Sequence, residues 1–415
     1  MHSITSSSPL GGPALSTAMT RTERRASFSL ASIFALRMLG LFLVLPVFAL
    51  EAARLPGGDD AARVGLAMGI YGLTQGLLQI PFGMASDVWG RKRVICAGLV
   101  VFALGSFMAA AATDLTWLIV GRSVQGAGAI SAAVTALLAD TTRDVVRTKA
   151  MALVGGSIAL MFALSLVVAP VLASAIGLHG LFALTGGLAL AGIAAVIWWV
   201  PPEPAEPVNR PRGSLLEVLK DPALLRLDFG VFVLHAVQLA MWVAIPALLV
   251  GAGLGRAQHW QVYLPAVLAS FLVMGATLFP LEKRGYLRGV FLAAVALIAL
   301  VQLGLLWLVQ APAPHSLVVL GGLLFLFFCG FNVLEASQPS LASRLAPAHS
   351  RGAALGVYNT MQSLGFFVGG AVGGWLTKLH GPQGLFMACA ALMALWLVIA
   401  SRMKAPVTRQ LNSKN

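Results

Sequence analysis

Apolar residues along this chain fall in blocks about as long as a bilayer is thick. A hydrocarbon core of roughly 30 Å takes about 20 residues of helix. Blocks of that order run near 30–50, 64–85, 94–112, 115–139, 151–176 and 178–200, then near 225–250, 260–281, 289–310, 316–343, 353–376 and 383–401. They predict twelve transmembrane helices, six on each side of a polar break at 201–224. Helix is the required form, because an unpaired backbone group in lipid costs several kcal/mol. The expected fold class is an all-α membrane protein of two six-helix bundles, 30–200 and 225–402.

The polar connections set the orientation. With both termini cytoplasmic, the tails and inner connections hold 22 Lys and Arg, whereas the outer side holds four, Arg54, Arg63, Arg256 and Lys378. Arg37 and Arg122 lie inside helices. Positive residues stay on the cytoplasmic side, so a multi-pass inner-membrane protein with both termini inside is expected.

Composition agrees with the pattern. Hydrophobic residues make up 58% of the 415, and charged residues only 10%, against about 25% in soluble domains. A water-soluble globule and a disordered chain are both excluded. The net charge of +13 follows from the inner connections and calls for no nucleic acid. Cys96, Cys329 and Cys389 sit in apolar runs without metal-ligand spacing and read as buried small hydrophobes.

Residues 1–29, rich in Ser, Thr, Gly and Pro at their start, are expected to be a disordered cytoplasmic tail, and residues 403–415 a cytoplasmic tail. The first apolar run is too long, and carries Arg37, for a cleaved signal peptide. In the 201–224 linker, prolines keep the start extended and Ser214–Asp221 can form a short amphipathic helix. No soluble catalytic domain fits. No P-loop, metal spacing or Ser/His/Asp arrangement is present, so neither an enzyme, a metal, a cofactor nor ATP-driven work is expected.

The loop after the second helix reads Gly83-Met84-Ala85-Ser86-Asp87-Val88-Trp89-Gly90-Arg91-Lys92-Arg93. Gly83 allows close helix approach, Gly90 allows a positive φ, and Asp87 stands four residues before a basic cluster. Taken alone, this is either a positive-inside loop with one carboxylate or a functional turn. The pattern G-x-x-x-D-x-x-G-R-K resembles the signature loop of the major facilitator superfamily. Arg122-Ser123-Val124-Gln125-Gly126 resembles that superfamily's second motif. Gly40 and Pro46 in FALRMLGLFLVLPV, with IYGLTQGLLQIPFG, RTKAMA and FNVLEA, resemble its YajR-type drug:proton antiporter branch. The sequence departs from the pattern at Val88, where a basic residue is frequent. It departs again at Ala169-Pro170, where Gly-Pro is usual and a Gly-Gly pair follows. The branch also carries a small soluble C-terminal domain, which is not expected behind the twelfth run here.

The resemblance implies that Asp87 faces the start of the eleventh helix near Gly352, where the helix dipole favours negative charge. It implies that Arg91 pairs with Asp140. Together these contacts would latch the bundles in an outward-open state. It also implies proton coupling through Arg122, a His235 that faces the central cavity, and a monomer.

Ionisable groups within spans are costly and usually mark function. Glu335 lies in the tenth span with Asn332 on the same face, three residues away. It is either a proton carrier, since burial raises a carboxyl pKa, or a structural Glu bonded to Asn332 or a neighbouring helix. Arg37 and Arg122 tune a carboxylate, contact an anionic group, or pair structurally. His235 shares a face with Asp228, Phe232, Gln238 and Trp242, and is either a titrating cavity group or a packing residue. Tyr71, Gln75 and Gln79 form a stripe on the second helix, and Tyr358, Asn359 and Gln362 another on the eleventh. Each stripe lines a substrate cavity or glues helices together. Gly365, Gly369 and Gly373 recur every four residues and read as close packing.

The resulting expectation is a proton-coupled secondary transporter. It exports small, fairly apolar compounds, as in multidrug efflux, by alternating access. Proton-coupled import of a nutrient on the same scaffold is the alternative, and a non-transporting membrane sensor stands third.

Overall fold

Thr20 opens the first helix. Its hydroxyl accepts from the Glu23 amide at 3.2 Å, and the Glu23 carboxylate accepts from the Thr20 amide at 2.8 Å. Such a reciprocal cap contributes ~1 kcal/mol. Glu23 is fixed further by Arg143, whose Nε lies 2.7 Å from its carboxylate. Helix α1 (Arg21–Ala52) therefore begins well before residue 30, and the expected disorder of residues 21–29 is corrected to helix. The computed structural model describes residues 18–203, 215–312, 315–347 and 349–403. The expected disorder of 1–17 and the tail expected at 404–415 lie outside the described residues.

The first half continues with α2 (Ala61–Trp89), α3 (Arg91–Ala110), α4 (Leu115–Ala127), α5 (Ser131–Asp140) and α6 (Asp144–Trp198). The second half holds α7 (Leu215–Lys220), α8 (Pro222–Gly251), a 3-10 turn at Arg256–Gln258 and α9 (Trp260–Lys283). It ends with α10 (Leu287–Gln310), α11 (Leu317–Leu345) and α12 (Arg351–Ser401). The amphipathic helix expected at Ser214–Asp221 is α7, with Val218 buried and Leu216 exposed.

α6 and α12 each hold two spans. Gly177 (φ 66°, ψ −176°) and Gly381 (φ 64°, ψ −170°) interrupt them with nearly the same non-helical backbone. Only glycine takes that region without strain. The contacts prove the reversals. Near the start of α6, Arg143 meets Glu23; past Gly177, His179 Nδ1 meets the Ala110 carbonyl; and Trp199, just beyond α6, accepts from Arg25 beside Glu23 again. In α12, Ser350 at the start meets Glu217, Lys378 meets Asp60, and Ser401 returns to Arg288. Among the described residues, eight helices are long and apolar enough to cross a bilayer. With α6 and α12 counted twice, and with α2 and the α4–α5 pair, the spans number twelve. The fourth span was expected unbroken; instead it breaks at residues 128–130 between α4 and α5.

The two bundles meet through α1 with α8, α2 with α12, and α6 with α9. The tightest seam is glycine on glycine. A Cβ on Gly65 would collide with the Gly370 and Gly374 backbones, and one on Gly69 with the Phe367 carbonyl. Small residues let helix backbones approach this closely. The expected ladder Gly365, Gly369 and Gly373 also packs closely, against Phe232, Ala236 and Ala240 of α8. The seam lies on the face away from the termini, here called the far face, where Lys378 Nζ sits 2.7 Å from Asp60 and Arg256 reaches Glu51 at 3.4 Å. Toward the face carrying both termini, the tail face, the bundles part. Leu77, Met84 and Leu160 are exposed there, and a Cβ on Gly155, Gly156, Gly352 or Gly356 would meet nothing within 4 Å.

Candidate functional site

The signature loop is built around Arg91. Gly90, at φ 94°, turns the chain so that α3 starts immediately after α2. Arg91 then folds back onto Asp87 one turn earlier, donates to Ser86 Oγ at 2.7 Å, and reaches Asp140 Oδ2 of α5 at 3.1 Å. The expected Arg91–Asp140 pair is therefore present. Asp87 is bound within its own bundle, not at the start of α12, because the tail face is open. Gly83 lets α2 approach α5, with Ala132 Cβ 3.3 Å from where its own Cβ would stand. Glu203 completes the loop by accepting from the Arg91 and Lys92 amides at 3.1 and 2.7 Å. It neutralises the exposed N-terminal end of α3. Nothing in the linker's PPEP run marked it beforehand.

Arg37 and Arg122 are fully buried, and neither has a carboxylate within 4.0 Å among the described residues. Arg37 donates to Tyr71 Oη at 2.7 Å, Gln75 Oε1 at 3.2 Å and Ser131 Oγ at 3.2 Å. The α4–α5 break supplies it with the freed Gly128 carbonyl, at 3.5 Å. Arg122 bonds Gln125 and the Met68 carbonyl at 3.2 Å. Its guanidinium lies 5.0 Å from the Tyr71 ring centroid and 5.8 Å from that of Phe48, a cation–π setting. Dipoles and ring faces, not counter-ions, hold both charges here.

The acidic groups gather in the other bundle. His235 on α8 has Nδ1 2.8 Å from the Val231 carbonyl, one turn back. That contact requires a proton on Nδ1 and leaves Nε2 to face α11 and α12. There it meets Glu335 Oε2 at 3.3 Å and the Gln362 amide at 2.7 Å. The Phe331 and Phe366 rings stand edge-on to the imidazole at 6.0 and 4.9 Å. The histidine side chain is 2% exposed, whereas that of Glu335 is 35% exposed, so the carboxyl is the water-facing end of the pair. Nε2 is thus the imidazole nitrogen that faces the Glu335 carboxyl.

The remaining candidates divide. Gln75, Asn359 and Gln362 are partly exposed, and Gln75 spans the bundles by donating to Ser363 Oγ at 3.2 Å. Tyr71, Gln79, Gln238, Trp242 and Tyr358 are buried. Tyr71 serves Arg37, so in this conformation these five are interior groups and not an open lining. Gln238 and Trp242 border a void of about 10 Å³, no larger than a water. Asn332 shares a helical face with Glu335 but donates to Ser270 Oγ at 2.8 Å, which leaves Glu335 to His235. Asp228 is buried, and its Oδ2 lacks a hydrogen-bond partner.

Comparison with known proteins follows this geometry. The model of the family described as Major Facilitator Superfamily matches residues 30–370. The chain is 44% identical over 392 residues to the inner membrane transport protein YajR of Escherichia coli (strain K12), covering 94% of this chain and 85% of that one. It is 24% identical to the quinolone resistance protein NorA of Staphylococcus aureus (strain MSSA476), over 86% of this chain and 91% of that one. Among solved structures, the human organic anion transporter MFSD10 superposes with a TM-score of 0.68 at 19% identity, covering 92% and 100% of the two chains. The nucleoside transporter NupG superposes with a TM-score of 0.71 at 14% identity, covering 91% and 99%.

Proposed function

The chain belongs to the Major Facilitator Superfamily, and on that footing we propose that this membrane transporter exports small, fairly apolar compounds in exchange for protons. The observation that carries the reading is the His235–Glu335 pair, 3.3 Å apart, with its carboxyl open to water and no fixed cation beside it. A group that loads and releases a proton needs that balance. The likeness to NorA, a quinolone resistance protein, favours drug-like cargo over a nutrient.

The bias of Lys and Arg toward one side puts the tail face in the cytoplasm, and the name of YajR supports the inner membrane. The conformation is then inward-facing, closed outside by the α2–α12 glycine seam. In the cycle, Glu335 accepts a proton in the outward-facing state as the compound leaves. The bundles rock, the Asp87–Arg91–Asp140 loop parts from α12, and the proton departs to the cytoplasm. Inward movement of one proton yields about 2.3 kcal/mol per 100 mV and about 1.4 per pH unit. One-for-one exchange thus sustains a gradient of roughly tenfold to several hundredfold. Gln75, Asn359 and Gln362, with Phe366 beside His235, are the cavity groups offered to the compound. The protein works as a monomer. Substrate-induced collapse of a proton gradient in proteoliposomes, lost with Glu335→Gln, tests the reading.

A further inference from the structure

A second cavity lies far from the His235–Glu335 pair, on the far face of the first bundle. It has a volume of about 500 Å³ and is walled by the Pro56–Gly57 loop, Arg63 at the start of α2, and Asp114, Trp117 and Val120 of the α4 end. Small-molecule sites occupy about 300–1,000 Å³. Gly57, at φ 83°, makes room for the guanidinium, because a Cβ there would press on Arg63 Nη1. Arg63 Nη2 is tethered to Thr116 Oγ1 at 2.6 Å. Asp114 spends Oδ1 on the Trp117 amide, at 2.9 Å, as the cap of α4.

Arg63 and Asp114 carry opposite charges in one cavity, yet they are not among each other's ion-pair or hydrogen-bond partners. The space between them suits a ligand with both charges. Trp117 and Val120 are exposed on one face of α4, and a tryptophan near the end of a span suits the headgroup region.

We propose that this cavity binds the headgroup of an aminophospholipid, with Arg63 on the phosphate and Asp114 on the ammonium. Guanidinium matches phosphate through paired N–H donors. A primary ammonium can donate to Asp114, whereas a choline headgroup cannot and a glycerol headgroup carries no positive charge. The acyl chains leave along Trp117 and Val120.

Native mass spectrometry of the delipidated full chain, titrated separately with phosphatidylethanolamine, phosphatidylcholine, phosphatidylglycerol and free phosphoethanolamine, tests this. Phosphatidylethanolamine should bind about tenfold tighter than the other two lipids, as one charge-assisted bond implies, and free phosphoethanolamine should bind weakly. Asp114→Asn, which keeps the cap acceptor, and Arg63→Gln should each remove that preference. Equal binding of the three lipids by the wild type would overturn the proposal without reference to any variant. A preference retained by both variants would also overturn it, since the lipid would then sit elsewhere. Tight binding of free phosphoethanolamine would assign the cavity to a soluble phosphate ester instead.

Discussion

His235 Nε2 and Glu335 Oε2 stand 3.3 Å apart, joining α8 to α11 beside the boundary with the other bundle. Because Nδ1 is committed to the Val231 carbonyl, the imidazole has a single nitrogen with which to exchange a proton. Gln362 on α12 reaches that same nitrogen at 2.7 Å. Movement of α12 against α8 therefore changes what Nε2 touches.

His235→Gln keeps a polar side chain but removes the imidazole. Under the proposed proton coupling, transport driven by a proton gradient should fall about a hundredfold or more, the range for lost general acid–base groups. Initial rates in proteoliposomes with a preformed gradient check this; a variant with the wild-type rate would make His235 a packing residue.

Gly65→Leu should prevent closure of the far face, because its side chain would enter the Gly370 and Gly374 backbones. Overpacking costs typically about 1–3 kcal/mol, enough to hold the far face open. A cysteine label placed near Asp60 should react faster in this variant, while net transport falls. Unchanged labelling and unchanged transport would remove the seam from the mechanism.

Asp87→Asn removes the ion pair with Arg91 but leaves Arg91 on Asp140 and Ser86. The protein should therefore insert and melt within a few degrees of the wild type, as expected for a loss of about 1 kcal/mol or less. If Asp87 latches onto α12 when the tail face closes, transport should drop sharply. Full transport by a well-inserted variant would end the latch.

Asp60, on the far face, is held below its ordinary value of 3.8, first by the hydrogen bond from Lys378. A depressed carboxyl stabilises above its unfolded pKa and loses that contribution only as the pH falls through the lowered value. The Asp60–Lys378 clasp should thus be constant at external pH of about 5–8. Distance measurements between the bundles at the far face should show no pH-dependent difference between wild type and Asp60→Asn in that range. A difference that grows from neutrality toward pH 5 would make the clasp a pH sensor.

Much of the fold was readable because lipid imposes one rule on every span. The reversals at Gly177 and Gly381 fall between the expected runs, since a polar or flexible break must sit at each membrane surface. The break at Gly128 was hidden, because residues 115–139 are apolar throughout and Arg37, which uses the freed carbonyl, lies far away in sequence. The helical start at Arg21 was legible in Thr20 and Glu23 but was outweighed by the Ser-rich residues before them. At the site, types were legible and partners were not. Glu335, His235 and Gln362 stood out as polar groups in apolar spans, yet their meeting depends on three helices from distant sequence. Asn332 misled, since a shared helical face does not set the partner when Ser270 is closer. The close approach of Gly65 and Gly69 to α12 comes from the structure alone.

The most direct measurement is the internal pH of proteoliposomes holding a preformed proton gradient, with lipophilic dyes and antibiotics added, for wild type and Glu335→Gln. Proton-for-compound exchange predicts that at least one compound collapses the wild-type gradient and that none does so with Glu335→Gln. A variant that dissipates the gradient as the wild type does would contradict it and leave Glu335 a structural residue.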